Sequence, residues 1–319
     1  MSIVKLSPAF KDYLWGGENL KAKYHKDTDM TPLAESWELS THKDGQSSVV
    51  TGEYAGLKFA DYLSRIGKQA LGKHAQAFDE FPVLIKFIDA KQSLSIQVHP
   101  SDEYALRVEH EYGKTEMWYI LDCQEGAYLY YGVARETTKE ELKNAIETDT
   151  LCDLLKRVPV KKGDVFFIPA GTLHAIGAGI VICEIQQNSN STYRVYDFGR
   201  RDAQGKLREL HIDKALAVSN MQPAEKQERE EEWTDENGAV HRPLASCPYF
   251  TTELITSMGR AAVQAGEESF VSLVILEGQG SVENGEERLS FMAGDSLFAP
   301  AKSGDIIIEG ACMLIKTTV

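Results

Sequence analysis

The feature that most restricts the fold is an internal repeat. Gly163-Asp164-x-x-Phe167-x-Pro169-Ala170 returns as Gly294-Asp295-x-x-Phe298-x-Pro300-Ala301, and Ile120-Leu121-Asp122 returns as Ile275-Leu276-Glu277. Around both copies the chain runs in short apolar stretches broken by Gly-rich turns. That pattern predicts a mainly β protein built as two jelly-roll barrels with a few peripheral helices. Its 319 residues are enough for about two domains, each able to bury a core.

The expected limits follow composition. Residues 1–221 form an N-terminal domain with helical insertions. Residues 222–240, dense in Glu, Lys and Arg, read as an exposed linker, and residues 241–319 as a second barrel. Phe59, Tyr62, Leu63 and Ile66 fall at i, i+3, i+4 and i+7 and predict a helix. Ser101 caps a second helix reaching about Tyr112, and Thr138 and Glu141 stand at capping-box spacing for a third over about 138–156. His211–Asn220 reads as a fourth. Strands are expected at Glu35–Ser40, Phe81–Asp89, Ser95–His99, Gly113–Leu121, Ile180–Gln187 and Thr192–Phe198, with another from Val165 that turns before His174.

A formal charge of −14 argues against nucleic acid, which needs a basic face, though not against a local basic pocket for an anion. No apolar run approaches the ~18 residues of a membrane span, and the N-terminus lacks a signal-peptide layout. The five cysteines are scattered and form no CxxC pair, which fits neither a disulfide framework nor a zinc knuckle. A reducing, cytoplasmic setting is therefore expected.

One stretch is chemically unusual. In Ser95-Ile96-Gln97-Val98-His99 the strand period puts Ser95, Gln97 and His99 on one face and Leu94, Ile96 and Val98 on the other. A hydroxyl, an amide and an imidazole in a row suit either a metal or small polar ligand, or a half-exposed strand with one side in water. Lys114, Glu116 and Trp118 share another strand face, and His174 follows a third strand. Two His and a carboxylate with an open position suit Zn2+ and equally non-haem Fe(II), while Gln97 is a weaker, neutral ligand. The repeat bears on this where it fails. Aligned on its anchors, Glu116 corresponds to Val271 and His174 to Asp305, and no histidine follows His241. The polar groups thus belong to the first unit alone, which implies one functional and one structural barrel.

Other candidates carry two readings each. Lys86, inside the apolar Phe81–Asp89 run, either snorkels at a strand end or faces a bound anion. Glu184 is a solvated strand residue or part of the site, and Arg194 pairs with Asp197 or serves the site. Trp118 reads as core or pocket wall, and His110 and His211 as surface.

Taken in order, Ala34-Glu-Ser-Trp-Glu-Leu39, Ser95-Ile-Gln-Val-His-Pro100, Gly113-Lys-Thr-Glu-Met-Trp118, Ile168-Pro-Ala-Gly-Thr-Leu-His-Ala175 and Glu184 with Tyr193-Arg-Val-Tyr-Asp197 resemble a known family. It is the type I mannose-6-phosphate isomerases of the cupin superfamily, in their short bacterial form, and the likeness spans nearly the whole chain. The resemblance implies two cupin-type barrels and one Zn2+ per chain, held by Gln97, His99, Glu116 and His174. It implies catalytic parts for Lys114, Glu184 and Arg194, and phosphate binding by Lys86 and Ser95. Arg200 stands where longer members carry a lysine, and a guanidinium is a wider, planar donor, so its substrate contact differs in detail. The extra helical domain of those longer members is absent.

The implied activity is EC 5.3.1.8, the interconversion of mannose 6-phosphate and fructose 6-phosphate through an enediol. The dication would serve as a Lewis acid for the oxygens at C1 and C2. Lys86 and Ser95 would hold the phosphate, and Arg194, always charged, would stabilise the enediolate. The base is Glu184 or Lys114, with Glu184 favoured at carbon and Lys114 at the oxygens. Rival expectations are an Fe(II) cupin oxygenase, a non-enzymatic sugar-binding cupin and an isomerase of another hexose phosphate. The expected partner is a small sugar phosphate, with neither nucleic acid nor membrane, and the oligomeric state is left open.

Overall fold

The structure, a computed structural model, describes residues 2–201, 205–225 and 232–319. The chain is mainly β and divides into two compact units. One gathers the described residues of Met1–Asp12, Glu18–Phe87 and Glu228–Val319; the other gathers those of Tyr13–Gly17 and Ile88–Gln227. These limits are drawn differently from the three segments 1–221, 222–240 and 241–319. Residues 226–231 of the expected linker lie outside the described residues, and beyond them Trp233–Thr234 is a strand paired with Val240–Ser246. Among the described residues no helix is long and apolar enough to cross a membrane.

The unit holding the C-terminal barrel contains a nine-stranded sheet. Thr251–Ala265 and Gly304–Thr318 pair from Thr251↔Thr318 to Ala265↔Gly304, and Val271–Asn284 pairs with Gly304–Thr318 on its other side. Ser296–Ala299 pairs with Val271–Asn284, and Val4–Ser7 pairs in turn with Ser296–Ala299. Alternation along these strands gathers Ile255, Val263, Val271, Leu273, Ile306 and Leu314 into one core. The expected helix is Phe59–Ile66; it buries Phe59, Tyr62 and Leu63, and Phe59 packs edge-on to Phe298 at 5.0 Å.

The sequence repeat is also a repeat of hydrogen bonds. Gly163 N donates to Ile120 O and Ile120 N to Asp164 O, each at 2.9 Å, while the Asp164 carboxylate accepts from Lys161 N at 2.9 Å. In the other unit Gly294 N donates to Ile275 O at 2.8 Å and Ile275 N to Asp295 O at 2.9 Å. The Asp295 carboxylate likewise accepts from Met292 N, at 2.8 Å. Gly163 and Gly294 both have positive φ, 86° and 93°, which a residue lacking Cβ adopts at no steric cost. The register agrees as well: Glu116 pairs with Ile168 as Val271 pairs with Ala299.

The second unit has two groups of strands. Val165–Ile168, Glu116–Cys123 and Ile180–Gln187 lie side by side, antiparallel. Tyr193–Tyr196, Ile96–Val98, His174–Ile176, Tyr128–Val133 and Leu155–Pro159 form a five-stranded sheet in that order. Ile96 and Val98 pack into a core with Leu142, Leu151, Val195 and Ala215, drawn in part from the helices Lys139–Glu147, Leu151–Leu154 and Ile212–Val218. Gln97 is left on the opposite face.

Several elements are shorter than expected. The second helix is Asp102–Val108 and the fourth Ile212–Val218. The third starts as predicted, with Thr138 Oγ1 accepting from Glu141 N at 3.1 Å, but the Glu141 carboxylate accepts from Thr137 Oγ1 instead of closing the box. It ends at Glu147, because Asp149 takes a left-handed conformation (φ 61°) that a helix cannot contain. One helical turn follows, and Leu155–Pro159 is a strand.

Candidate active site

Glu116 begins the strand flanked by Val165–Ile168 and Ile180–Gln187. Gln97 is paired with His174 on one side and with Arg194 on the other, all within the five-stranded sheet. Directly opposed residues of antiparallel strands share a face, so Gln97, His174 and Arg194 project together. The Glu116 carboxylate reaches across to this face. His99 Nε2 lies 3.5 Å from Glu116 Oε2, and His174 Nε2 lies 3.3 Å from Glu116 Oε1. Gln97 Nε2 is 3.4 Å from His174 Nε2. His99, Glu116 and His174 are buried.

The tautomers decide what the cluster can do. His99 Nδ1 is 2.9 Å from Ser191 O, and His174 Nδ1 is 2.8 Å from Thr172 O. A carbonyl oxygen only accepts, so both Nδ1 atoms carry the proton, and in a neutral ring Nε2 then presents a lone pair. Burial pushes the His174 imidazole down to about 4, with Lys114 adding to the effect and the Thr172 carbonyl opposing it. His174 is therefore neutral near pH 7. The His174 Nε2 lone pair faces a carboxylate oxygen, an arrangement that a cation held between them would relieve. The ligand atoms of His99, Glu116 and His174 all lie within 4.8 Å of one another. Two imidazoles and a carboxylate are a donor set for Zn2+ or Fe(II), and Nδ1–H bonds to carbonyls are the usual support of metal-binding histidines. The residues present fit a divalent metal.

Lys114 Nζ stands 3.2 Å from Glu116 Oε2. Glu184 pairs with Trp118 in the ladder, and the Trp118 Nε1–H donates to Glu184 Oε1 at 2.9 Å. The Trp118 ring meets His174 edge-on at 5.3 Å. Trp118 is thus a wall of the site that also orients Glu184. A buried indole N–H needs an acceptor, which is a signal present in sequence; which acceptor depends on the ladder register.

Arg194 does not pair with Asp197. Its Nη1 donates to Glu209 O at 2.9 Å, and its backbone N donates to Nδ1 of His211, a half-buried residue rather than a surface one, at 3.1 Å. Burial, with the charges of Arg208 and Arg200, holds the Arg194 guanidinium below its ordinary value, although Asp197 opposes them. The Asp197 carboxylate instead accepts from Arg200 Nε at 3.0 Å and from Arg208 Nε at 2.6 Å. Arg200 Nη1 also donates to Ser93 O at 2.5 Å, near buried Ser95. Arg208 is a cation of this cluster that the sequence reading passed over. Lys86 belongs to the other unit, where it is buried rather than snorkelled; its Nζ lies 4.0 Å from Glu35 Oε2 and 4.7 Å from the Trp37 ring centre.

Comparison with known proteins follows the same lines. A family model for the catalytic domain of type I phosphomannose isomerase matches residues 3–128, and one for the cupin domain of mannose-6-phosphate isomerase matches residues 242–319. Gln97, His99 and Glu116 fall within the first match; His174, Glu184 and Arg194 fall between the two. The mannose-6-phosphate isomerase ManA of Bacillus subtilis (strain 168) is 39% identical over 309 residues, spanning 95% of this chain and 94% of its own. The mannose-6-phosphate isomerase of Streptococcus mutans is 38% identical over 293 residues, spanning 90% and 89%. The crystal structure of the mannose 6-phosphate isomerase from Bacillus subtilis superposes with a TM-score of 0.93 at 34% identity, over 100% of both chains.

Proposed function

The chain belongs to the type I phosphomannose isomerase family, metal-dependent enzymes that interconvert mannose 6-phosphate and fructose 6-phosphate, and from that premise we propose how its own residues divide the work. Gln97, His99, Glu116 and His174 hold one Zn2+. The observation that carries this assignment is the convergence of the His99 and His174 Nε2 atoms on the buried Glu116 carboxylate, with both Nδ1 atoms held by carbonyls. When bound, the ion supplies Lewis acidity to the oxygens at C1 and C2.

The remaining steps belong to side chains. Glu184, oriented by the Trp118 N–H, takes the proton from one carbon and returns it to its neighbour. Lys114, beside Glu116, moves protons at the two oxygens. Arg194, on the face of Gln97, stabilises the negative oxygen of the enediolate, and its partial burial strengthens that interaction. Ser95 and Arg200, near the same end of the Ile96–Val98 strand, bind the phosphate; for Lys86 a part in phosphate binding rests on its charge and on the family resemblance alone. Five free cysteines support a reducing, cytoplasmic setting.

The test is an assay of purified protein with mannose 6-phosphate, coupled to detection of fructose 6-phosphate, before and after chelation. Zinc and iron are then restored separately. Loss on chelation and recovery with zinc is the expected result. A folded, metal-loaded protein with no turnover would refute the substrate, and iron-dependent oxygen uptake would replace this reading with that of a cupin oxygenase.

A further inference from the structure

The carbonyl that fixes His99 lies on a turn that must itself be held. Ser191 sits between the strands Ile180–Gln187 and Tyr193–Tyr196. Within that turn Gln186 Nε2 donates to Gln187 O at 2.7 Å and Ser189 O at 2.6 Å, and Ser191 N donates to Ser189 Oγ at 3.2 Å. These bonds set the shape of the turn. Its placement comes from elsewhere in the chain. Glu111 Oε1 accepts from Asn190 N at 3.1 Å, and Glu111 Oε2 accepts from Ser191 Oγ at 2.9 Å. Glu111 sits on the segment that joins two of the metal-binding residues, running from His99 through the helix Asp102–Val108 to Glu116. Gln187, at the start of the turn, is bonded to Thr115 and Asp102 of the same segment, and the Glu111 carboxylate adds the tie at Asn190 and Ser191, next to the carbonyl that orients His99.

We propose that Glu111 is a positioning residue for the metal centre. By clamping Asn190 and Ser191 it aims the Ser191 carbonyl at His99 Nδ1, and so sets both the tautomer and the direction of the Nε2 lone pair. The role depends on the reading of His99 as a metal ligand given above. Hydrogen bonds to a carboxylate are charge-assisted and among the stronger ones a turn can use. If the Ser191 carbonyl drifts, the His99 ring is free to rotate or to move its proton to Nε2, and in that tautomer Nε2 cannot ligate. Losing an outer support of a ligating histidine weakens metal binding about 10–100-fold. Glu111 acts one bond further out, so a loss of about 10-fold is expected.

The experiment measures zinc affinity of metal-stripped protein by competition with a chromophoric chelator, alongside the thermal midpoint of the metal-free form. The variants are Glu111→Ala, Glu111→Gln, His99→Ala and, as control, Glu109→Gln. Glu109 is two residues away, and its Oε1 accepts from Tyr193 Oη and Lys214 Nζ, each at 2.7 Å, which lie outside the 190–191 turn. Glu111→Ala is expected to bind zinc about 10-fold more weakly. Glu111→Gln, which keeps one acceptor oxygen, should fall between it and the wild type. Glu109→Gln should lower the thermal midpoint while keeping wild-type zinc affinity. Wild-type affinity in Glu111→Ala, or an equal loss in Glu109→Gln, overturns the proposal. If His99→Ala loses zinc and Glu111→Ala does not, the Glu111 role alone falls. If His99→Ala binds as tightly as the wild type, the ligand assignment falls with it.

Discussion

His174 has no exposed surface, and its Nδ1–H is committed to Thr172 O. In the unfolded chain its imidazole binds a proton near 6.5, whereas burial lowers that value to about 4 in the fold. Between these values the unfolded state binds more protons, so stability falls as pH drops through the window from 6.5 to about 4. The whole difference amounts to about 3 kcal/mol. Metal-stripped protein is therefore expected to lose thermal stability progressively over that range, and His174→Asn to lose that component of the pH dependence. Thermal scans of both proteins at closely spaced pH values check this; parallel profiles would count against it. The residue types of His99, Glu116 and His174, with the strand period, marked these three as candidates in the sequence, and the fold brings their ligand atoms within 4.8 Å of one another. The bonds from Trp118 to Glu184 and from Ser191 to Glu111 were not legible there, because they join residues whose meeting depends on pairing register and turn geometry rather than spacing.

At the scale of elements, strands were easier to read than the ends of helices. Apolar runs and alternation marked Ile180–Gln187 to the residue, but Thr148, Asp149 and Thr150 divide what was expected as one helix over about 138–156. A close approach was also invisible. A Cβ on Gly113 would stand 2.5 Å from both Asp102 N and Ser101 C, which are backbone atoms with little freedom to yield. Gly113 N donates to Asp102 Oδ1 at 2.7 Å, and Lys114 N donates to Pro100 O at 3.0 Å, so the segment is pinned against the start of the helix. Gly113→Ala is expected to lift that segment and to carry Lys114 and Glu116 with it. Denaturant unfolding of the metal-free protein should show a loss of about 1–3 kcal/mol, with weaker zinc binding in the same variant. Wild-type values on both measurements would mean that the segment accommodates a methyl group without moving Glu116.

At the scale of the molecule, the repeat foretold two barrels because each copy encodes the same turn with the same hydrogen bonds. Its failure also has a structural counterpart: Val271, which takes the place of Glu116, is buried in an apolar core. The closure of the C-terminal sheet was not legible. Val4–Ser7 is four residues long and pairs with a strand near the other end of the chain, through Val4↔Phe298, Lys5↔Leu297 and Leu6↔Ser296. Lys5 Nζ adds an ion pair with Asp295 at 2.7 Å, and Phe298 packs against Phe59 and Phe81. Residues 241–319 produced alone would leave Ser296–Ala299 as an open edge and strip Phe298 of those rings. This piece is expected not to fold by itself. It should show poorly dispersed amide resonances and no cooperative thermal transition, and it should recover both when residues 1–87 are co-expressed with it. A cooperative transition in the isolated piece would instead make the C-terminal barrel autonomous, with the N-terminal strand an accessory to a sheet that closes without it.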